Sequence, residues 1–382
     1  MDAAQRRGLP AEAWWLAAPF ALSTALAFRL DSASLGTSLT VAAVSAFATV
    51  LVLLGVRARR ACGRSSGPFV ALAVLGLLLV VPELGLRSAG FRNVSGIEFG
   101  YPSPTDFLEL EPDEELFWKM PSDVPGTNSL GFSGPEPRVP KPAGTRRVLF
   151  LGDSCLYQGH PDAWPELAAR ALGLDGVNLS IAGYSTHQGR IVAQKFGPRL
   201  EPDFVVVCYG WNDHWLARGT QDSKKRIDAR YERFYRASRL LQALRKLRSP
   251  GEAPVLDVGR VPPDEYVANL AAIVRQFRAQ GTRVMLVTAP TVHDLTVPPY
   301  LLKYSFGTSA EQIVRVHEQY VALTREVAQA EGAELFDLAE LCRQRPDRVD
   351  WFLGDGIHFT EQGRAVLAGL FLERARELGW DK

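Results

Sequence analysis

Arg147-Val148-Leu149-Phe150-Leu151-Gly152-Asp153-Ser154-Cys155 is a short apolar run that stops at a glycine, an acid and a serine. A run of this length closed by a turn signal reads as a buried strand, and Ser154 then stands at its carboxyl end. Much later comes Asp355-Gly356-Ile357-His358. A serine at a strand end, with a carboxylate and an imidazole three residues apart, is the inventory of nucleophilic acyl transfer.

Outward from this run the chain alternates strand and helix patterns. Further strands are expected over Val177–Ala182, Phe204–Tyr209, Arg283–Thr288 and Glu334–Leu338. Helices are expected over Trp164–Leu172, Gln188–Leu200, Pro263–Ala279 and Ser309–Ala330. A last one starts at Thr360 as N-cap and ends at Gly379. Short apolar, β-branched strands separated by helices imply an α/β domain with a parallel sheet covered on both faces. Ligand sites in such sheets lie beyond the carboxyl ends of the strands. Ser154, Gly183 and Asn212 each follow an expected strand.

Ser154 needs a base, because a free hydroxyl is a weak nucleophile near neutral pH. His358 precedes the last helix on a loop that can fold over the strand ends, and one turn brings Asp355 to its imidazole. The oxyanion needs donors. Candidates are the backbone N–H of Ser154, expected near a helix N-terminus, the N–H of Gly183 in Ile181-Ala182-Gly183-Tyr184, and the side-chain amide of Asn212 in Gly210-Trp211-Asn212-Asp213. The bland readings are a helix cap for Ser154 and turn residues for Gly183, Asn212 and Asp355. His214 reads as a rim or substrate contact. His160, His187, His293 and His317 show no ligand spacing, so neither a metal nor a cofactor is expected. The Gly-x-Ser-x-Gly elbow of another hydrolase class is missing its second glycine in Gly152-Asp153-Ser154-Cys155-Leu156.

These four blocks, in this order, resemble the SGNH hydrolases, also called the GDSL family. Gly152-Asp153-Ser154 resembles the first block, Gly183 the second, Gly210-Trp211-Asn212-Asp213 the third and Asp355-Gly356-Ile357-His358 the fifth. The likeness covers roughly residues 146–380. It implies a flavodoxin-like α/β/α sandwich with a five-stranded parallel sheet and a metal-free ester hydrolase. It also implies Ser154, His358 and Asp355 as triad, and Ser154, Gly183 and Asn212 as oxyanion hole. Cys155 after the nucleophile is a departure without catalytic consequence. Asn128-Ser129-Leu130-Gly131-Phe132, Gly183-Tyr184-Ser185-Thr186-His187-Gln188 and Arg260-Val261-Pro262 resemble features of bacterial SGNH proteins with amino-terminal membrane spans.

The first ninety residues read differently. Ala13–Phe28, Ser32–Val56 and Ser65–Pro82 carry no charge. They suggest transmembrane helices at about 13–30, 36–56 and 67–87, with Glu83 at an interface. Trp14 and Trp15 fit an aromatic belt. The first stretch also fits a signal peptide with Arg6 and Arg7 as its basic region, but two further apolar stretches follow directly and favour three spans. Arg57, Arg59, Arg60 and Arg64 crowd one short loop, which the positive-inside rule assigns to the cytoplasm. The expectation is a multi-pass protein of the cytoplasmic membrane with residues after about 90 on the periplasmic or extracellular side. Residues 91–145 read as a connector that packs on the catalytic domain, because Phe107, Leu108, Phe117, Trp118, Leu130 and Phe132 are too apolar for a free linker. The catalytic domain covers 146–382 and holds a helical insertion at about 214–262.

Net charge is +1 over 382 residues, so nothing points to nucleic acid as a partner. Nine Arg against four acids give residues 1–92 a charge of +5, which leaves −4 for the rest. Four scattered cysteines lack the spacing of a zinc site or redox pair. Lys224–Arg248 holds ten basic residues and only Asp228 and Glu232 as acids, with Ile227, Tyr231, Phe234, Leu241 and Leu244 as an apolar face. It reads either as a solvated helix packed on its domain or as a lid or membrane-surface helix. The expected substrate is an acyl ester, on an envelope glycan or a lipid. The same triad fits an O-acyltransferase in which a sugar hydroxyl replaces water. A third reading is a non-catalytic envelope-binding protein with this fold.

Overall fold

Strands β1 (Arg147–Gly152), β2 (Asp175–Asn178), β3 (Phe204–Cys208), β4 (Arg283–Val287) and β5 (Glu334–Phe336) make one parallel sheet in the order β2-β1-β3-β4-β5. This computed structural model describes residues 50–63, 67–88, 91–92, 110–121, 124–156, 162–248 and 254–382. Every residue of β1 and β3 is buried, because helices cover both faces. Side chains alternate across the strands, so Val148, Phe150, Phe204, Val206 and Met285 face one core and Leu149, Leu151, Val205 and Val207 the other. Trp164, Phe371 and Trp380 fill the first core around Phe150 and Phe204. The helices Trp164–Ala171 and Glu361–Glu377 pack there, while Thr186–Leu200, Pro263–Arg278 and Ala310–Glu331 pack against one another in the second layer.

Helix ends follow the side chains available to cap them. Ser309 Oγ accepts the N–H of Gln312 at 3.1 Å, and Thr360 Oγ1 that of Gly363 at 3.0 Å. The second strand lies earlier than the expected Val177–Ala182. Asn178 Oδ1 accepts the Ser180 N–H at 3.0 Å, and this side-chain turn bends the chain out of the ladder. Sheet order reverses between β1 and β3, so β1 has β2 on one side and β3 on the other. That topological switch opens a crevice beyond their carboxyl ends.

The chain forms two compact units: residues 95–232 with 252–382, and residues 1–94 with 233–251. The first carries the sheet. In it Leu216–Arg218 pairs antiparallel with Val255–Gly259 and closes the base of the insertion. The short hairpin Glu111–Asp113 and Phe117–Lys119 precedes the sheet, and Phe117, Trp118 and Phe132 are buried. Phe107 and Leu108 lie outside the described residues.

The second unit contains a helix over residues 50–61, the helix Gly67–Ser88, and the helix Arg239–Arg248 from the insertion. Glu83 caps the last of these. Its carboxylate accepts the N–H groups of Arg239 and Leu240 at 3.0 and 2.8 Å and the Ser238 hydroxyl at 2.9 Å, while Arg87 pairs with it at 2.7 Å. Glu83 is therefore a helix cap within this unit. Among the described residues no helix is long and apolar enough to cross a membrane. In Gly67–Ser88 the uncharged run stops at Pro82 before the Glu83–Arg87 pair. The expected span at about 67–87 thus finds no support there. The first apolar stretch, and the second up to residue 49, lie outside the described residues.

The basic segment is not one helix with an apolar face. It splits at Ser238 into Ala229–Ala237 and Arg239–Arg248. Ile227 is buried, whereas Tyr231, Phe234 and Leu244 are half or more exposed.

Candidate active site

Ser154 and Asp355–His358 meet at the crevice. His358 Nε2 lies 2.7 Å from Ser154 Oγ, and His358 Nδ1 lies 2.7 Å from Asp355 Oδ2. A carboxylate only accepts, so Nδ1 carries the proton and Nε2 offers its lone pair to the serine hydroxyl. Asp355 Oδ1 accepts the N–H groups of Ile357 and His358, both at 2.9 Å, which closes the loop into a tight turn. Burial alone would raise the Asp355 carboxyl, but the bond from His358 and these N–H groups hold it below the usual carboxylate range. Burial alone would lower His358, and the Asp355 hydrogen bond and charge, with Asp153 behind, hold it above the ordinary imidazole value.

Behind this turn stands His293. Its Nε2 donates to the Asp355 carbonyl at 2.7 Å, and its ring packs edge-on against Trp211 with centroids 5.1 Å apart. Gly356 has φ +72°, and a Cβ there would lie 2.7 Å from His293 Cδ2. The turn needs glycine on both counts.

No helix begins at Ser154, contrary to the sequence expectation. Asp153 makes a turn instead: its Oδ1 accepts the Cys155 N–H at 2.9 Å and its carbonyl the Leu156 N–H at 3.1 Å. Among the described residues the next helix starts at Trp164. Asp153 Oδ2 also accepts from Asn212 Nδ2 at 3.1 Å, which ties the amide to the nucleophile's neighbour and leaves its second N–H for a ligand. Burial pushes the Asp153 carboxyl up, against the pull of these donors. Gly183 follows β2 with φ +81°, and the bond from Ile181 N to Gly152 O sets its turn beside the end of β1. Among the described residues the N–H groups of Ser154 and Gly183 have no acceptor. The crevice thus presents a serine, its base, and three unspent donors.

His214 is not at the rim. It is buried, with Nε2 3.2 Å from His317 Nδ1, and His317 Nε2 donates to the Ala289 carbonyl at 3.0 Å. Trp211 stacks on His317 at 3.9 Å. Burial drives both imidazoles to the neutral form, His317 to about 3. His187 stacks on Phe117 at 5.8 Å, and His160 lies outside the described residues. Among the described residues no cluster of His, Cys, Asp and Glu could hold a metal ion. Sequence reading missed Asp153, His293, Trp118 and Arg260, the last two packing behind Gly183. Asp153 carried a local signal in its place in the first block and Arg260 one in Arg260-Val261-Pro262, while His293 and Trp118 carried none for these roles.

The GDSL-like Lipase/Acylhydrolase family matches residues 150–366 of the chain. The isoamyl acetate-hydrolyzing esterase 1 homolog of Mus musculus is 25% identical over 232 residues, 58% of this chain and 78% of that protein. The GDSL esterase/lipase WDL1 of Oryza sativa subsp. japonica is 25% identical over 262 residues, 66% of this chain and 83% of its own. Among solved structures, a lipase/acylhydrolase from Enterococcus faecalis aligns with TM-score 0.42 and 17% identity over 61% of this chain and 96% of its own. The family match spans the serine, the glycine, the asparagine and the Asp355–His358 pair, and with it the chain belongs to the GDSL-like lipase/acylhydrolase family as a serine hydrolase.

Proposed function

We propose that the chain hydrolyses acyl esters through Ser154, His358 and Asp355, with oxyanion donors from Ser154 N–H, Gly183 N–H and Asn212 Nδ2. One observation carries the reading: the unbroken hydrogen-bond chain from Ser154 Oγ through His358 to Asp355, 2.7 Å at each step. Ser154 Oγ attacks the ester carbonyl and passes its proton to His358 Nε2. Asp355 stabilises the imidazolium, and the three donors receive the oxyanion. When the tetrahedral adduct collapses, the bond to the alcohol breaks and His358 protonates the departing oxygen. Water then attacks the acyl-serine and gives a proton to His358. The acid leaves, and the proton returns to Ser154.

The proposed substrate is an acylated envelope glycan or a lipid, reached from outside the cytoplasm by a chain held to the membrane through its amino-terminal segment. The arginine-rich loop at residues 57–64 and the uncharged stretches around it support this reading. So do the exposed Leu72, Leu75 and Leu79 on the helix Gly67–Ser88. Tyr231, Phe234, Leu244 and Leu247 are exposed among the basic residues of the insertion and fit the surface of an anionic bilayer. The likeness to the mouse isoamyl acetate-hydrolyzing esterase 1 homolog supports small acyl groups among its substrates. The test labels the full chain with a fluorophosphonate and runs a panel of acyl esters against wild type and Ser154→Ala. Labelling that survives in Ser154→Ala would refute the nucleophile. Resistance of the catalytic unit to protease added to intact cells would refute the orientation.

A further inference from the structure

We propose that Trp118 is a positioning residue of the oxyanion hole, and that Arg260 is its second clamp. The indole Nε1 of Trp118 donates to the carbonyl of Ala182 at 3.1 Å. That carbonyl and the N–H of Gly183 belong to one peptide. In a trans peptide the two point in opposite directions, so a donor that grips the oxygen from behind aims the N–H forward. A hydrogen bond to the carbonyl also polarises the amide and strengthens its N–H as a donor. An indole N–H can only donate, so the direction of this bond is unambiguous.

The next peptide is held as well. Arg260 Nη1 donates to the Gly183 carbonyl at 2.9 Å. Both peptide planes around the Gly183 Cα are therefore pinned, at a positive φ that glycine alone adopts freely. The clamps are rigid in turn. Arg260 is fully buried, and its Nη2 binds Asp222 Oδ2 at 2.8 Å. Asp222 takes the Ser185 hydroxyl at 2.8 Å and gives its own N–H to the Arg260 carbonyl at 2.9 Å. The Arg260 guanidinium lies over the Trp118 ring at 5.9 Å, so the two clamps brace each other. The Tyr184 hydroxyl donates to the Trp118 carbonyl at 2.8 Å, and Gln188 Nε2 to the Leu116 carbonyl at 2.8 Å. The hairpin ahead of the first strand thus supports the oxyanion hole through backbone contacts.

The inference rests on Gly183 as an oxyanion donor. Its test measures full-chain Trp118→Phe, Arg260→Met and Arg260→Lys on p-nitrophenyl acetate, beside Asn212→Ala and Ser154→Ala. Trp118→Phe keeps an aromatic ring and loses the donor. Its kcat falls about 10–100-fold with KM within about twofold, the scale of a misaimed donor. The acidic limb of its pH profile, set by His358, stays in place. Arg260→Met shows the same pattern, and Arg260→Lys recovers part of the loss. Should Trp118→Phe fail to fold, the two Arg260 variants decide by themselves. Wild-type kcat in the clamp variants beside a depressed Asn212→Ala would overturn the clamp and spare the oxyanion hole. A raised KM with a displaced pH limb would also overturn it, since that marks general collapse. Undiminished turnover in both Ser154→Ala and Asn212→Ala would instead sink the site on which the inference stands.

Discussion

Gly356→Ala would test whether the triad loop is held from behind. The new Cβ would sit 2.7 Å from His293 Cδ2, 2.9 Å from His293 Nε2 and 3.3 Å from Val292 Cγ2, on a residue with φ +72°. An alanine in that region costs about 1–2 kcal/mol from backbone sterics alone. The imidazole cannot swing aside freely, because it is buried and packed against Trp211. Whatever movement relieves the clash stretches the 2.7 Å bond from His293 to the Asp355 carbonyl, and losing that bond costs about 1 kcal/mol more. The variant should therefore lose about 2–3 kcal/mol, read as a melting temperature roughly 5 °C lower. Asp355 would shift with its carbonyl, and a displacement near 1 Å costs about 100-fold in rate. The assay pairs thermal unfolding with kcat on a soluble ester. His293→Ala added to Gly356→Ala should cost less than the sum of the two single substitutions, since the bond to the Asp355 carbonyl can be lost only once. A single variant that melts and turns over like wild type would refute the reasoning, and so would a double variant whose loss equals the sum of the two single losses.

Other outcomes follow from the same geometry. Asp355→Asn should lower kcat about 10⁴-fold while the fold persists, because the amide favours the wrong tautomer of His358. Asn212→Ala should lower kcat about 10²–10³-fold at nearly constant KM, measured by steady-state kinetics. The pH profile of kcat/KM should show an acidic limb above the ordinary imidazole value, because His358 is held up by Asp355 and must be neutral to take the serine proton. For stability the sign is separate. The raised His358 favours folding below its unfolded value and loses that contribution as pH rises through its folded one, while the lowered Asp355 contributes at higher pH and loses it on acidification. Leu244→Asp with Leu247→Asp should leave turnover of a soluble ester intact and depress turnover of an ester carried in anionic vesicles; equal rates on both would dismiss the membrane-surface reading.

The strands β1 and β3 were legible because a buried parallel strand leaves an uninterrupted apolar run, and the triad because its partners sit in short local blocks. The boundary at Asn178 was not, since a side-chain turn interrupts an apolar pattern that itself continues to Ala182. The clamps were hidden for another reason. Trp118 reaches a carbonyl 64 positions on and Arg260 one 77 positions back, and bonds between a side chain and a distant backbone leave no periodic trace. His214 was misread because its partner His317 comes from the helix Ala310–Glu331, far along the chain. The insertion was expected as one helix, and Ser238 splits it into two.

The cap that Glu83 places on the helix Arg239–Arg248 decides how a smaller catalytic fragment could be made. Simple removal of residues 1–94 would strip that helix of its carboxylate and leave the Arg239 and Leu240 amides and the Ser238 hydroxyl without their acceptor. It would also expose apolar surface the helix now shares with its unit, an invitation to aggregate. A well-behaved fragment should need a second excision, of residues 233–251, with the chain rejoined by a short flexible bridge.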